Sequence, residues 1–432
     1  MADKLDAILK SYIAEGTTTK DKLLGASFVV FTKDGPLYQG SAGRTRPPPS
    51  SPPFTPSSIT WLASMTKILT TTCLLHFTTH NPHLLTLDQD LRPLIPELAA
   101  NPILTGFVSA AEATSSSSSG SGEGEGEGKE KKEGEPILTP NTSPLTLRHL
   151  LTHTSGFGVD VADPDLMRWS KWLGRTAHTG SCTVDGWLTP LKFVPGEGWY
   201  YGVGHDWAGV VLLRVSGRQV GEYFEEFIAG PLGLRDIGFR VGKVLGEDGK
   251  AGGEWVPRAE RDEETGEIKE GGVEFPEVPE VESGGAGGYG SAEGFGRVLQ
   301  VLLRGLAGEE ENGGVVLNQE TVREMLRPQL TEVQKQWMRA IVWTYKSGAE
   351  IPEGSAVDYG LGGLINMEDV EGRRRKGSIM WSGMCNSRWW LDPETGIGAA
   401  LIVQLTPYGD ETVFKMYDEL ERAVYAELVP QK

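Results

Sequence analysis

Residues 58–80 read SITWLASMTKILTTTCLLHFTTH, a polar start followed by an apolar run that encloses one lysine. The pattern predicts a helix on which Ser64 and Lys67 share one face at positions i and i+3. A serine hydroxyl becomes a nucleophile when a neighbouring base takes its proton, and a lysine held as the neutral amine can be that base. An ordinary amphipathic helix is the alternative interpretation of these residues.

A second candidate segment is PGEGWYYGVGHDWAG at 195–209. The glycines next to Tyr201 allow another part of the backbone to approach closely. A phenol beside a lysine could pass the serine proton onward during the reaction. The alternative is that Trp199, Tyr200 and Tyr201 only pack a hydrophobic core.

A third candidate segment is Trp381-Ser382-Gly383-Met384, which ends a predicted late strand. A glycine there allows a substrate to lie against the strand edge. The backbone N–H that follows could complete an oxyanion hole with the N–H of Ser64 at the start of its helix. Taken alone, this short pattern is compatible with many folds.

In this order, the three segments resemble the SxxK, YxN and KTG motifs of the serine β-lactamase and penicillin-binding-protein superfamily. Residues 145–157 (LTLRHLLTHTSGF) and 284–303 are similar to its class C β-lactamase-like branch, which includes the family VIII carboxylesterases. Residues 359–383 and 404–413 are similar to the acyltransferases of the fungal lovastatin pathway.

The resemblance implies a role for each matching residue. Ser64 would be the nucleophile, Lys67 and Tyr201 would move protons, and the N–H groups of Ser64 and Met384 would hold the oxyanion. The resemblance also implies substrate contacts for four residues. Three of them, Trp381, Ser382 and Gly383, lie in the third segment, and Tyr408 lies in residues 404–413.

Two positions depart from the lactamase pattern. Val203 stands where a lactamase has asparagine, and Trp381 stands where it has the lysine that pairs with the β-lactam carboxylate. Both changes add apolar surface, which favours hydrolysis or transesterification of a hydrophobic carboxylic ester, such as a polyketide side-chain ester. The alternatives are a weak β-lactamase and a non-catalytic, penicillin-recognising or scaffold module of the same fold.

The expected partner is a small-molecule ester or acyl thioester, and an acyl-carrier protein is one possible donor. No cofactor is expected. His76, His80 and His83 lack an HExxH or Cys/His context, so no metal site is expected. We expect His153 to have a structural hydrogen-bonding role and the basic run at 373–376 to be solvated.

Composition excludes several classes of function. The chain has 432 residues and a net charge of −18, which argues against nucleic-acid binding. Three cysteines without a CxxC pair indicate a reducing compartment, and the cytoplasm is expected. The first turns mix charges, and no long apolar stretch indicates a membrane span.

The expected architecture is a two-lobed α/β plus all-α fold. Its antiparallel sheet, built from both chain ends and flanked by helices, belongs to an α/β lobe of residues 1–75 and 225–432. Residues 76–224 form a helical lobe with a disordered, low-complexity insertion at 112–135. The acidic tract 247–282 is expected to hold a surface hairpin.

Overall fold

The computed structural model describes residues 2–117, 132–246, 253–272, 275–276, 278–309, 316–346 and 351–427. The helices of the described residues are α1 (Ala2–Ser11), α2 (Thr66–His80), α3 (Pro96–Ala99), α4 (Ala110–Ser117), α5 (Leu147–Leu151), α6 (Pro164–Leu173), α7 (Val184–Trp187), α8 (Gly204–Ser216), α9 (Val220–Phe224), α10 (Val241–Leu245), α11 (Ala292–Ala307), α12 (Gln319–Met325), α13 (Glu332–Thr344) and α14 (Glu411–Glu427). None of them is both long and apolar enough to span a bilayer.

The strands of the described residues are β1 (Gly25–Thr32), β2 (Gly35–Gly43), β3 (Thr60–Trp61), β4 (Ile103–Phe107), β5 (Pro136–Thr139), β6 (Ile237–Gly238), β7 (Ala259–Arg261), β8 (Ile268–Glu270), β9 (Tyr289–Gly290), β10 (Val357–Tyr359), β11 (Leu364–Asn366), β12 (Ile379–Ser382), β13 (Arg388–Asp392), β14 (Ile397–Ile402) and β15 (Leu405–Thr406).

The largest sheet is built from both ends of the chain. Its order is β10-β11-β12-β13-β14-β1-β2, and all neighbouring strands are antiparallel. β1 lies between its hairpin partner β2 and the late strand β14, with Ser27 opposite Ile402 and Thr32 opposite Ile397. The predicted antiparallel sheet is therefore confirmed.

Two consecutive tryptophans in β13 show how helices cover this sheet. Side chains alternate between the faces of a strand. Trp389 accordingly lies near Phe295 of α11, with ring centroids 6.2 Å apart. Trp390 instead lies near Tyr417 of α14, at 5.6 Å. α11 thus packs on one face and α14 on the other, as the expected flanking helices require.

A solvent-inaccessible ion pair joins α14 to the loop before β12. The Arg374 guanidinium donates to both oxygens of Glu421 at 2.8 Å, and both residues are 0% exposed. It also donates to the Tyr417 hydroxyl at 2.7 Å. The expectation of a solvated run at 373–376 is therefore wrong for Arg374, because paired hydrogen bonds to a carboxylate offset its desolvation. It is also wrong for Arg373, which is 6% exposed and pairs with Asp418 and Glu421.

Helix α2 is buried on nearly all sides, as its apolar run predicts. It packs against α8 and α9. Its threonine hydroxyls are satisfied inside the protein: Thr72 donates to the Ile68 carbonyl at 2.8 Å, and Thr70 donates to the Gly284 carbonyl at 2.7 Å. The helix that begins beside Ser64 is thereby fixed in the interior.

The chain between α2 and α9 is mainly helical but includes a small sheet. β4 and β5 pair antiparallel, with Ile103 opposite Thr139. The insertion expected at 112–135 begins within α4, and residues 118–131 of it lie outside the described residues. In the tract 247–282, β7 and β8 form the expected hairpin.

Removing one partner of the buried Arg374–Glu421 pair should destabilise the fold. Arg374→Met and Glu421→Leu are each expected to lower the free energy of unfolding by about 3–5 kcal/mol, because each removes the closest partner of a buried charge. The double variant should lose less than the sum of the two. Urea unfolding followed by circular dichroism measures all three.

Arg422→Met is the matched control, because its pair with Asp418 on the same helix is half-exposed and contributes little. Strictly additive losses in the double variant would contradict the coupling of Arg374 with Glu421.

Candidate active site

Ser64 lies in one 3₁₀ turn, Ala63–Met65, directly before α2 begins at Thr66. Ala63 has a φ of +46°, in the left-handed region that residues with a Cβ rarely adopt. The Met65 N–H donates to the Leu62 carbonyl at 3.0 Å and closes the turn. Backbone strain of this kind is retained where surrounding contacts enforce it, and it concentrates at functional sites.

The contacts that enforce the turn come from the glycine-rich residues 284–290. The Thr66 hydroxyl donates to the Ala63 carbonyl at 2.5 Å and accepts from the Gly288 N–H at 2.9 Å. The Gly288 carbonyl accepts from the Leu62 N–H at 2.9 Å. The glycine-rich residues 284–290 therefore brace the serine turn.

Lys67 points from the first turn of α2 toward Ser64 and is 4% exposed. Its Nζ donates to Ser64 Oγ at 3.1 Å and to the Gly285 carbonyl at 2.9 Å. The same nitrogen lies 4.8 Å from the centroid of the Tyr201 ring, a distance suited to a cation–π contact. The i, i+3 spacing thus brings the amine onto the serine oxygen.

Tyr201 approaches Ser64 from the loop before α8. Its hydroxyl donates to Ser64 Oγ at 2.7 Å. The next residue must be glycine, because a Cβ on Gly202 would lie 2.1 Å from the Phe157 carbonyl oxygen. Hydrogen bonds to Ser64 Oγ therefore bring together Ser64 and Lys67 from one segment and Tyr201 from a distant one.

Two buried histidines lie behind Tyr201. The His153 ring is 4.7 Å from the Tyr201 ring and 5.2 Å from the His205 ring. Burial, with the positive charge of Lys67 as a lesser cause, lowers the pKa of both imidazoles well below the usual value. Both are neutral near pH 7, and the Gly202 N–H donates to His153 Nδ1 at 3.5 Å.

The buried carboxylate of Asp206 holds Gly285, whose carbonyl accepts from Lys67. Asp206 is 6% exposed and accepts from the Ser283 hydroxyl at 2.5 Å and from the Gly285 N–H at 3.1 Å. Burial raises the pKa of Asp206, while the charge of Lys67 acts in the opposite direction. Gly285 thus connects the two side chains, because its N–H donates to Asp206 and its carbonyl accepts from Lys67.

The third predicted segment lies against the serine turn. A Cβ on Gly383 would lie 2.7 Å from the Leu62 carbonyl oxygen, so the two backbones are in contact. Trp381 in β12 places its ring 5.3 Å from the Tyr201 ring. Met384 follows this contact, and its side chain is 43% exposed.

A cavity of about 310 Å³ opens beside Tyr201. Its aromatic wall is formed by Trp199, Tyr200, Tyr201, Tyr345, Trp381 and Tyr408. The hydroxyl groups of Ser382 and Tyr408 are 2.9 Å apart, although the wall residues in the described chain do not include Ser382. Of the four implied substrate contacts, Trp381 and Tyr408 therefore line this cavity.

Sequence reasoning did not identify three of the residues that hold the site: Thr66, Asp206 and Gly285. The concentration of glycines at 284–290 was the available signal, since such density permits close backbone approach. In the described residues, no group of three or more His, Cys, Asp or Glu side chains is arranged to hold a metal ion.

The chain is similar to one known family and to several known proteins. The family model described as Beta-lactamase matches residues 5–421. Monacolin J acid methylbutanoyltransferase of Aspergillus terreus is 30% identical over 384 residues, 87% of this chain and 84% of the relative. Lovastatin esterase of Penicillium rubens is 29% identical over 374 residues, 85% of each chain.

A solved structure shows the same similarity in three dimensions. Simvastatin synthase (LovD) from Aspergillus terreus, in its LovD6 mutant form, matches with a TM-score of 0.81 and 27% identity. The match covers 98% of this chain and 94% of the other. The chain therefore belongs to the beta-lactamase family.

Proposed function

We propose that this protein transfers an acyl group through an ester bond to Ser64. The protein is an acyl-transferring enzyme of the beta-lactamase family, and the observation that supports Ser64 as its nucleophile is the meeting of three polar groups. Lys67 Nζ lies 3.1 Å from Ser64 Oγ and the Tyr201 hydroxyl lies 2.7 Å from it.

In the first step, Ser64 Oγ attacks the carbonyl carbon of the ester and its proton passes to Lys67 in the amine form. Collapse of the tetrahedral intermediate breaks the bond to the leaving oxygen, which takes the proton of Tyr201. The proton on Lys67 then returns to the Tyr201 oxygen, since both groups lie within hydrogen-bond distance of Ser64 Oγ. The acyl-enzyme forms with all protons accounted for.

The negative charge of the tetrahedral intermediate needs fixed hydrogen-bond donors. We assign this role to the backbone N–H groups of Ser64 and Met384, because Gly383 lies against the backbone just before Ser64. Donors held by a braced turn do not need to reorient as the charge develops. The second step reverses the first, with water or an alcohol as the attacking group.

The proposed substrate is a hydrophobic carboxylic ester, such as a polyketide side-chain ester. One relative is named a methylbutanoyltransferase and the other an esterase, so both acceptors, alcohol and water, occur among similar chains. An acyl thioester, free or on an acyl-carrier protein, is the proposed donor for transfer. A non-catalytic module is not favoured, because Ser64, Lys67 and Tyr201 are all in contact.

The division into two lobes and the compartment are also proposals. We assign residues 1–75 and 225–432 to the α/β lobe and 76–224 to the helical lobe, with Ser64 and Tyr201 meeting between them. All three cysteines are buried, and the sequence holds no CxxC pair, which supports a reducing compartment such as the cytoplasm.

The Ser64→Ala variant should lose ester turnover while keeping its fold. Removal of a covalent nucleophile is expected to cost several orders of magnitude in kcat. A burst of p-nitrophenol from a short-chain p-nitrophenyl ester, and the acyl mass added to the intact protein, measure the effect.

Ser216→Ala is the control, because this hydroxyl at the end of α8 bonds only backbone groups of Leu212 and Arg218 among the described residues. A Ser64→Ala variant that still showed the burst and the added mass would refute the assignment of the nucleophile.

Lys67→Ala and Tyr201→Phe should act as one unit. Each is expected to lower kcat by about 10²–10⁴-fold, since each interrupts the same proton transfer. The double variant should be little worse than either single variant. Steady-state hydrolysis of the same p-nitrophenyl ester measures all three.

Tyr223→Phe is the matched control, because its buried hydroxyl contacts His76 outside the site at 2.8 Å. Multiplicative losses in the double variant would show that Lys67 and Tyr201 act independently. An inactive Tyr200→Phe together with an active Tyr201→Phe would move the role to Tyr200.

A further inference from the structure

The cavity beside Tyr201 carries an unusual distribution of charge. Its described wall combines the aromatic side chains named above with aliphatic side chains from residues 159–162 and 341–342. Asp163 is the one charged residue of this wall, and no lysine or arginine is among its described members. A carboxylate entering this space would be desolvated, and the Lys192 ammonium beside the wall is already bonded to Asp163.

The Asp163 carboxylate has all its acceptor positions occupied. One oxygen accepts from the N–H groups of Asp165 and Leu166 and caps α6. The other accepts from the Lys192 ammonium and, at 2.6 Å, from the Tyr200 hydroxyl. Burial alone would raise the pKa of Asp163, but the bonds from Lys192 and Tyr200 lower it, so the group is an anion.

Tyr200 therefore presents an acceptor to the cavity. Its only hydroxyl hydrogen points to Asp163, which leaves the oxygen lone pairs for a ligand. Burial and the hydrogen bond to Asp163 raise the pKa of Tyr200, so this proton stays in place.

The chemistry of the reaction indicates which half of the substrate occupies the cavity. The oxygen that leaves or attacks must lie against the Tyr201 hydroxyl, because that hydroxyl exchanges its proton. Tyr201 is part of the cavity wall. The alcohol half of the substrate, which carries this oxygen, therefore extends into the cavity, while the carbonyl oxygen faces the backbone donors near Ser64.

We propose that this cavity binds the alcohol half of the substrate and selects neutral, apolar alcohols with a second hydroxyl over alcohols that carry a carboxylate. The second hydroxyl donates to the Tyr200 oxygen. The proposal rests on the acyl-enzyme mechanism given above and names the substrate class of the same site. It makes Tyr200 and Asp163 specificity-determining residues.

The test uses three cyclohexylmethanols that differ only at C4, where they carry a hydroxyl, a methyl or a carboxylate group. Each is offered to the full-length enzyme with p-nitrophenyl butyrate as donor, and the ester of the primary hydroxyl is quantified by chromatography. We expect the hydroxyl compound to exceed the methyl compound in kcat/KM by about threefold to tenfold, as one hydrogen bond allows. The kcat/KM of the carboxylate compound should be lower than that of the hydroxyl compound by roughly tenfold or more.

Two variants separate the contributions. Tyr200→Phe should abolish the preference for hydroxyl over methyl. Asp163→Asn keeps an oxygen to cap α6 but removes the negative charge. It should therefore raise the kcat/KM of the carboxylate compound relative to that of the hydroxyl compound. Asp165→Asn is the matched control, because it also pairs with Lys192 but its side chain is 62% exposed and outside the wall. It should leave the ranking unchanged.

The outcomes distinguish this proposal from the mechanism on which it rests. Absence of a Ser64-dependent burst would refute the mechanism. A burst with no acylation of any of the three alcohols, or with equal use of the carboxylate and hydroxyl compounds, would overturn the cavity assignment alone. A hydroxyl preference that survives in Tyr200→Phe would overturn the role of Tyr200, and this result is interpretable even if Asp163→Asn is unstable.

Discussion

The amine of one buried lysine needs hydrogen-bond acceptors, and the arrangement around Ser64 follows from that need. An N–H group without an acceptor in the protein interior costs more than a hydrogen bond contributes. Lys67 is supplied with Ser64 Oγ, the Gly285 carbonyl and the face of the Tyr201 ring. Since these come from three parts of the chain, the amine can be satisfied only when all three parts are assembled.

Residues 283–290 serve both members of the serine–lysine pair. Through Gly285 they accept from Lys67, and through Gly288 they contact the hydroxyl of Thr66 that holds the Ala63 carbonyl. The short pairing of β3 with β9 fixes the two backbones beside each other. The positions of Ser64 and Lys67 are therefore coupled through one loop, which suits the proposed reaction, in which the serine is the nucleophile and the lysine its base.

The parts of the site that sequence could predict are those encoded by local spacing. Ser64 and Lys67 share a helix face at i, i+3, and the strands of the late sheet follow apolar alternation and turn residues. Asp206 was missed because its partners, Ser283 and Gly285, are distant along the chain. Arg374 was misjudged because a basic run gives no sign of Glu421, which neutralises it from α14.

The position of β1 between β2 and β14 has a consequence for how the protein is made. The ribosome releases the hairpin of β1 and β2 early, with one edge of β1 still lacking its partner. That edge must wait until residues 397–402 emerge, so the central sheet closes only after the intervening chain has been synthesised. Such distant pairing slows folding and exposes an apolar strand edge meanwhile. A protein with a locally connected sheet would leave such an edge open to aggregation for a shorter time.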